Sequence, residues 1–173
     1  ACTSNLQAAI NTANQAGALV VASAGNSSSD ASGFAPASCR GVVTVGAVTR
    51  NGDQASFSNH GAPLTVSALG QQVRVQAPED SHRWMSGTSF SAPIVSGILG
   101  LIAQDIPELD RRTLLDLLPD AATPLTSSSN PMGAGILNAA RLQEQVAGLL
   151  GRDEPSLHHA MAMRTDGDGD SPF

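Results

Sequence analysis

A serine set between a glycine-bearing turn and an apolar helix constrains this chain more than any other feature. It lies in the string Gly87-Thr88-Ser89-Phe90-Ser91-Ala92-Pro93-Ile94-Val95-Ser96-Gly97. From Thr88 to Gln104 the residues Ile94, Val95, Ile98, Leu99, Leu101 and Ile102 supply enough apolar surface for a buried helix. Thr88 or Ser89 is placed to cap its first turn. Ser89 then stands at the positive end of a helix dipole, among backbone N–H groups that lack intrahelical partners. Both features would favour the negative charge that develops on a carbonyl oxygen during acyl transfer. Gly87 has no Cβ and would let a substrate backbone approach closely. Pro93 falls in the first turns, where its missing N–H does least damage. Taken alone, however, Gly-Thr-Ser reads more readily as an ordinary capped helix.

The remaining pattern is that of an α/β layered domain with a mainly parallel sheet and helices on both faces. Thr3 or Ser4 caps a first helix in which Leu6, Ala9, Ile10 and Ala13 recur at helical spacing, ending at Gly17. Ala18 to Ala22 and Val42 to Val48 are apolar on both sides, as parallel strands covered on two faces should be. Between them, Gly25 to Arg40 is rich in Ser, Gly, Ala and Pro and reads as a long surface loop, of a length that usually carries function. Asn51-Gly52-Asp53 signals a turn. Short β segments run from Pro63 to Ala77, followed by a polar hairpin around Glu79-Asp80-Ser81-His82-Arg83. A helix near Asp110 to Leu118 and a last helix to about Leu150, with Asn138 as its N-cap, complete the pattern.

Composition bounds the function without choosing it. With 173 residues and 41% hydrophobic content, the chain can bury one core. A net charge of -6 argues against a nucleic-acid partner, which would want a basic face. No apolar run approaches the roughly 20 residues needed to span a bilayer, so no membrane partner is expected. The absence of an initiating Met and of a signal peptide fits a chain cut from something longer. Cys2 and Cys39 are the only thiols, either free and buried or paired. Residues 148–173 turn polar and lose periodicity. Asp166-Gly167-Asp168-Gly169-Asp170 has half the spacing of a calcium loop, but Ser171 stands where the turn glycine belongs, so an acidic tail or linker is the better reading.

The whole eleven-residue string resembles the serine motif of the subtilisin-like serine proteases at every restricted position. Two further segments resemble the same family in the same order. Leu19-Val20-Val21-Ala22-Ser23-Ala24-Gly25-Asn26 looks like the strand and turn that end in the oxyanion-hole asparagine. Gly41 to Val48, followed by Ala55-Ser56-Phe57-Ser58-Asn59-His60-Gly61, looks like the next strand and its Ser-Phe-Ser-Asn loop. Gly133-Ala134-Gly135-Ile136-Leu137-Asn138 is similar to a later family segment. The resemblance covers residues 1–147, which look like the C-terminal part of a catalytic domain.

The resemblance implies a serine endopeptidase acting on polypeptides, with Ser89 as nucleophile and Asn26 donating its side-chain amide to the oxyanion. It makes Ser23, Ala24 and Gly25 one wall of the pocket for the residue before the scissile bond. Some secreted members of the family are similar in pairing a Cys just before the first helix with one in a stretch like Pro36-Ala37-Ser38-Cys39. The resemblance thus implies a Cys2–Cys39 disulfide, an oxidising compartment and secretion. It implies no cofactor for the chemistry, though structural calcium is compatible with it. The family's triad runs Asp, His, Ser along the chain, yet no Asp-Ser/Thr-Gly or His-Gly-Thr-His segment precedes Ser89. His60 reads as surface structure, His82 as part of the hairpin, and His158 and His159 as part of the tail. The N-terminal part of the same catalytic domain is therefore the expected partner, and this segment alone is expected to be inactive. Leu69 stands where the family usually has Pro, and Phe90 where it commonly has Met. A catalytically inactive binding module of the same fold is the alternative.

Overall fold

The computed structural model describes residues 1–107, 109–149 and 151. The tail and its Asp-Gly-Asp-Gly-Asp run lie outside the described residues from position 152 onward. Helix α1 (Ser4–Gln15) begins at Thr3, whose hydroxyl accepts the Leu6 N–H at 3.3 Å. It closes on Gly17, at φ 85°. There the Gly17 N–H reaches Asn14 O and the Ala18 N–H reaches Ala13 O, the paired bonds of a glycine-terminated helix. Because Ala18 is committed to that cap, strand β1 (Val20–Ser23) starts two residues later than the apolar run suggests.

Strand β2 (Val42–Val48) follows the expected bounds. With β3 (Val66–Leu69), β6 (Ala122–Thr123) and β7 (Ile136–Leu137) it forms a five-stranded sheet in the order β1-β2-β3-β7-β6. The first four strands in that order are parallel, with Val20 against Val42, Val45 against Val66 and Ser67 against Ile136. β6 pairs antiparallel to β7. A separate antiparallel hairpin of β4 (Val73–Ala77) and β5 (Ser81–Met85) is the polar hairpin read from the sequence. β1 lies at the sheet's edge and pairs only with β2 among the described residues.

One face of the sheet presents Val43, Val45, Val66 and Ala68 to helix α2 (Thr88–Asp105). Val95, Leu99 and Ile102 of that helix are almost wholly buried there. Leu114 of α3 (Arg111–Leu117) and Leu142 and Val146 of α4 (Ala139–Leu149) extend the same core. Asp110 caps α3 by accepting the Arg112 and Thr113 N–H groups, and Asn138 caps α4 through the Arg141 N–H at 3.0 Å. The other face is small and polar where loops cross it. Thr44 donates its hydroxyl to Ala37 O at 2.7 Å, and Ser67 donates to Met132 O at 2.9 Å. A Cβ on Gly46 would lie within 2.9 Å of Leu64, Ser67 and Met132, so the loops sit directly on the strand.

The stretch from Gly25 to Arg40 is therefore not simply a surface loop. It contains a short 3-10 turn (Ala31–Gly33) capped by Asp30, and Ala31, Ala37 and Cys39 are buried. Cys39 is joined to Cys2 by a disulfide, with Cα atoms 5.1 Å apart. That bond ties the loop to the start of α1.

Candidate active site

Ser89 is the second residue of α2 and is exposed to solvent. The first N–H groups of a helix have no partner four residues back within it; on either side of Ser89 the Phe90 N–H turns to Gly87 O at 3.0 Å and the Thr88 N–H to a side chain outside the helix. Neither Thr88 nor Ser89 caps this helix, contrary to the sequence expectation. The N-cap is Gly87, without a side-chain bond of its own. The physical reason is that Thr88 already lies inside the first turn and is fully buried, with its donors satisfied by a residue distant in sequence.

That residue is Asn26, on the turn leaving β1. Its Oδ1 accepts the Thr88 N–H at 2.9 Å and the Thr88 hydroxyl at 2.8 Å. The Thr88 hydroxyl in turn accepts the Gly25 N–H at 3.2 Å. A backbone N–H can only donate, so the Asn26 atom facing it must be the oxygen. The amide orientation follows, and Nδ2 is left free to donate elsewhere. Gly87, next to it, is held by its N–H to Gly70 O at 2.7 Å. A Cβ on Gly87 would lie 3.3 Å from Asn26 Nδ2, so the glycine keeps that side of the amide clear. Helix α2 and the β1 turn thus bring Ser89 and Asn26 together through one threonine.

The three residues read as a pocket wall leave β1 in different environments. Ser23 and Gly25 are half-buried, whereas the Ala24 side chain is fully buried with Ala31, Leu64 and Met132. The Ala24 side chain therefore cannot itself face a ligand at that surface. His60 is half-buried and bridges to Asp30, its N–H donating to Ser29 O and its carbonyl accepting from Ala31. His82 is exposed on β5, opposite Gln76. It borders an open groove of 1060 Å³ with Arg50, Arg74 and Trp84, a groove lined by neither Ser89 nor Asn26.

Two carboxylates are held below the ordinary range, and both are in caps. Backbone and side-chain bonds from Ser32 lower Asp30, helped by nearby His60. The Thr113 hydroxyl and N–H lower Asp110. Among the described residues no cluster of three or more His, Cys, Asp or Glu side chains could hold a metal ion.

Asn59, in the Ser-Phe-Ser-Asn loop, carries no functional signal in the sequence. It is fully buried. Its side chain bonds the same turn that carries Asn26. An asparagine followed by His-Gly reads as a turn residue, and nothing in a linear pattern announces that it folds inward.

The chain belongs to the subtilase family, whose family model matches residues 1–136. It is 36% identical over 134 residues to Subtilisin BL of Lederbergia lenta, covering 78% of this chain and 49% of that protein. It is also 36% identical over 147 residues to an extracellular protease of Xanthomonas campestris, covering 80% of this chain and 25% of that protein. Among solved structures, a protease of Pseudoalteromonas arctica superposes with a TM-score of 0.76 at 32% identity, covering 82% of this chain and 47% of that one. The chain thus spans about half the length, or less, of these relatives.

Proposed function

We propose that the protein is a secreted serine endopeptidase in which this segment carries the nucleophile and the oxyanion donors. The supporting observation is the double grip of Thr88 on Asn26 Oδ1, one residue from Ser89. It commits the oxygen and leaves a neutral, fixed N–H donor beside an exposed serine at a helix N-terminus. Ser89 Oγ attacks the scissile carbonyl carbon of a polypeptide, and its proton passes to a general base. Charge collects on the carbonyl oxygen, where the Ser89 N–H and Asn26 Nδ2 donate to it. The protonated base gives that proton to the departing nitrogen as collapse expels the amine and leaves an acyl-enzyme; the base then takes a proton from water, which attacks the ester, and returns it to Ser89 Oγ as the carboxylic acid leaves. Ser23 and Gly25, with Ala24 buried between them, form one wall for the side chain preceding the cleaved bond.

The base and its orienting carboxylate come from the N-terminal part of the same catalytic domain. The edge of β1 that has no strand partner among the described residues, and the apolar Ile94 and Leu101 exposed on α2 at 37% and 44%, support that partner. Without a base a serine hydroxyl is a weak nucleophile at neutral pH, so the isolated segment is expected to be inactive. Secretion is supported by the Cys2–Cys39 disulfide and by the name of the extracellular Xanthomonas relative. The chemistry uses no cofactor. Calcium, if held, is structural and takes ligands beyond these residues.

A fluorophosphonate serine-hydrolase probe tests this reading on the full-length gene product, its Ser89→Ala variant and the isolated segment. Stoichiometric labelling of the first, absent from the other two, is the expected result. A folded, mature full-length protein that never labels would instead make this an inactive binding module.

A further inference from the structure

We propose that Asn59 is the positioning residue for the oxyanion donor, a clamp that holds the turn bearing Asn26 while its own amide never meets substrate. The proposal rests on the peptidase reading given above. Asn59 Nδ2 donates to Ala24 O at 2.9 Å. Its Oδ1 accepts the Ser27 N–H at 2.9 Å, the Ser29 N–H at 3.1 Å and the Ser29 hydroxyl at 3.4 Å. Its backbone N–H donates to Gly25 O at 2.9 Å. Ser28 is held by the same strip of chain, its N–H on Phe57 O and its hydroxyl on Ser56 O.

From Ala24 to Ser29, every residue except Asn26 is therefore bonded to residues 56–59. Asn26 instead bonds Thr88 through its Oδ1, with its Nδ2 left to donate elsewhere. The turn has little else to stiffen it, since Asn26-Ser27-Ser28-Ser29 lacks any apolar side chain. Most of the side-chain bonds that set its geometry come from one buried amide, that of Asn59. Gly25 shows how tightly, because a Cβ there would lie 2.4 Å from Asn59 Nδ2 and its φ is +103°.

Asn59 is itself fixed to the sheet by its neighbour. The buried Ser58 hydroxyl donates to Asn59 O at 2.9 Å and accepts the Ala47 N–H of β2 at 2.9 Å. The line from β2 through Ser58 and Asn59 to the Asn26 turn is continuous. An oxyanion donor works only if it is aimed before the charge develops, because reorienting it during the reaction would cost what it later returns. Asn59 is fully buried, and its amide bonds Ala24, Ser27 and Ser29 rather than facing a substrate. What it supplies is aim.

The test uses the full-length gene product with Asn59→Asp, which keeps the acceptor and removes the donor to Ala24, and Asn59→Ser, a milder truncation less liable to block folding. Both are also made on an Asn26→Ala background. Hydrogen exchange is followed in peptides spanning 23–29 and in those of α2, and kcat and KM are measured on a chromogenic peptide. The expected result is faster exchange at 23–29 with α2 unchanged. In parallel, kcat should fall about tenfold to a hundredfold at nearly constant KM, the range expected when a catalytic group is misplaced by an ångström or less. On the Asn26→Ala background the same substitutions should cost less than about threefold further, because the donor being aimed is gone.

Equal losses with and without the Asn26 amide would overturn the proposal, and so would unchanged exchange at 23–29. If the unsubstituted protein shows no turnover, it is the peptidase reading that falls. The exchange comparison then decides alone whether Asn59 clamps the turn.

Discussion

At the scale of single residues, the two ends of one side-chain amide have separate tasks. Asn26 Oδ1 takes the place of a helix cap for Thr88, and Nδ2 is the proposed catalytic donor. Asn26→Asp separates them. A carboxylate still accepts from the Thr88 N–H and hydroxyl, and sits favourably at a helix N-terminus, but it cannot donate. We expect Tm to hold or rise slightly while kcat falls about 100- to 1,000-fold, a magnitude that belongs to the corresponding donor of subtilisin rather than to any derivation from this chain. Thermal unfolding and steady-state kinetics on the full-length protein check both halves. A matching fall in Tm would mean that the oxygen's contacts had not been preserved. Ser89 and Asn26 stand out in the sequence because Ser89 lies at the start of one recognisable segment and Asn26 at the end of another. Thr88 was read as a cap and Asn59 as loop, because burial and the partner across space are not written in a linear spacing.

At the scale of elements, sequence and structure agree where a signal is complete within its own segment. Strand β2 is a run of small and β-branched residues buried almost throughout, and its bounds needed no correction. The cap of α4 at Asn138 is likewise a local event. Asp110 carries a pH prediction. Its bonds from Thr113 hold its folded-state pKa below the unfolded carboxylate value of 3.8. The unfolded chain therefore takes up the proton first as pH falls. The capping contribution is present in full above that value and is lost as pH drops through the folded pKa. Tm measured from neutral pH downward should show Asp110→Asn less stable than the parent, with the gap closing below the ordinary carboxylate range. A gap that stays constant into acid would show that the charge is not what holds the cap. β1 started late because the end of α1 consumed Ala18, a competition between neighbouring elements that an apolar run alone does not reveal.

At the scale of the whole molecule, the sheet ends on β1, which among the described residues pairs on one side only, and helix α1 is tied by Cys2–Cys39 to the loop beyond that strand. The disulfide closes a sequence separation of 37. Replacing both cysteines by serine should lower unfolding stability by about 3 to 4 kcal/mol on a chain-entropy account. Denaturant unfolding with and without reductant would check this, and a parent indifferent to reductant would refute it. The sequence by itself determined the layered α/β class, the serine at its helix start and the asparagine at its strand end, because each is a short-range pattern of side-chain size and backbone demand. Only the tertiary structure decided that Asn26 caps a helix some sixty residues away, that Ala24 is buried with Ala31, Leu64 and Met132 and that Asn59 bonds the turn between them. Those three facts depend on which polar atoms meet when strands β1 and β2 lie side by side under α2, and partners chosen across space leave no periodicity along the chain.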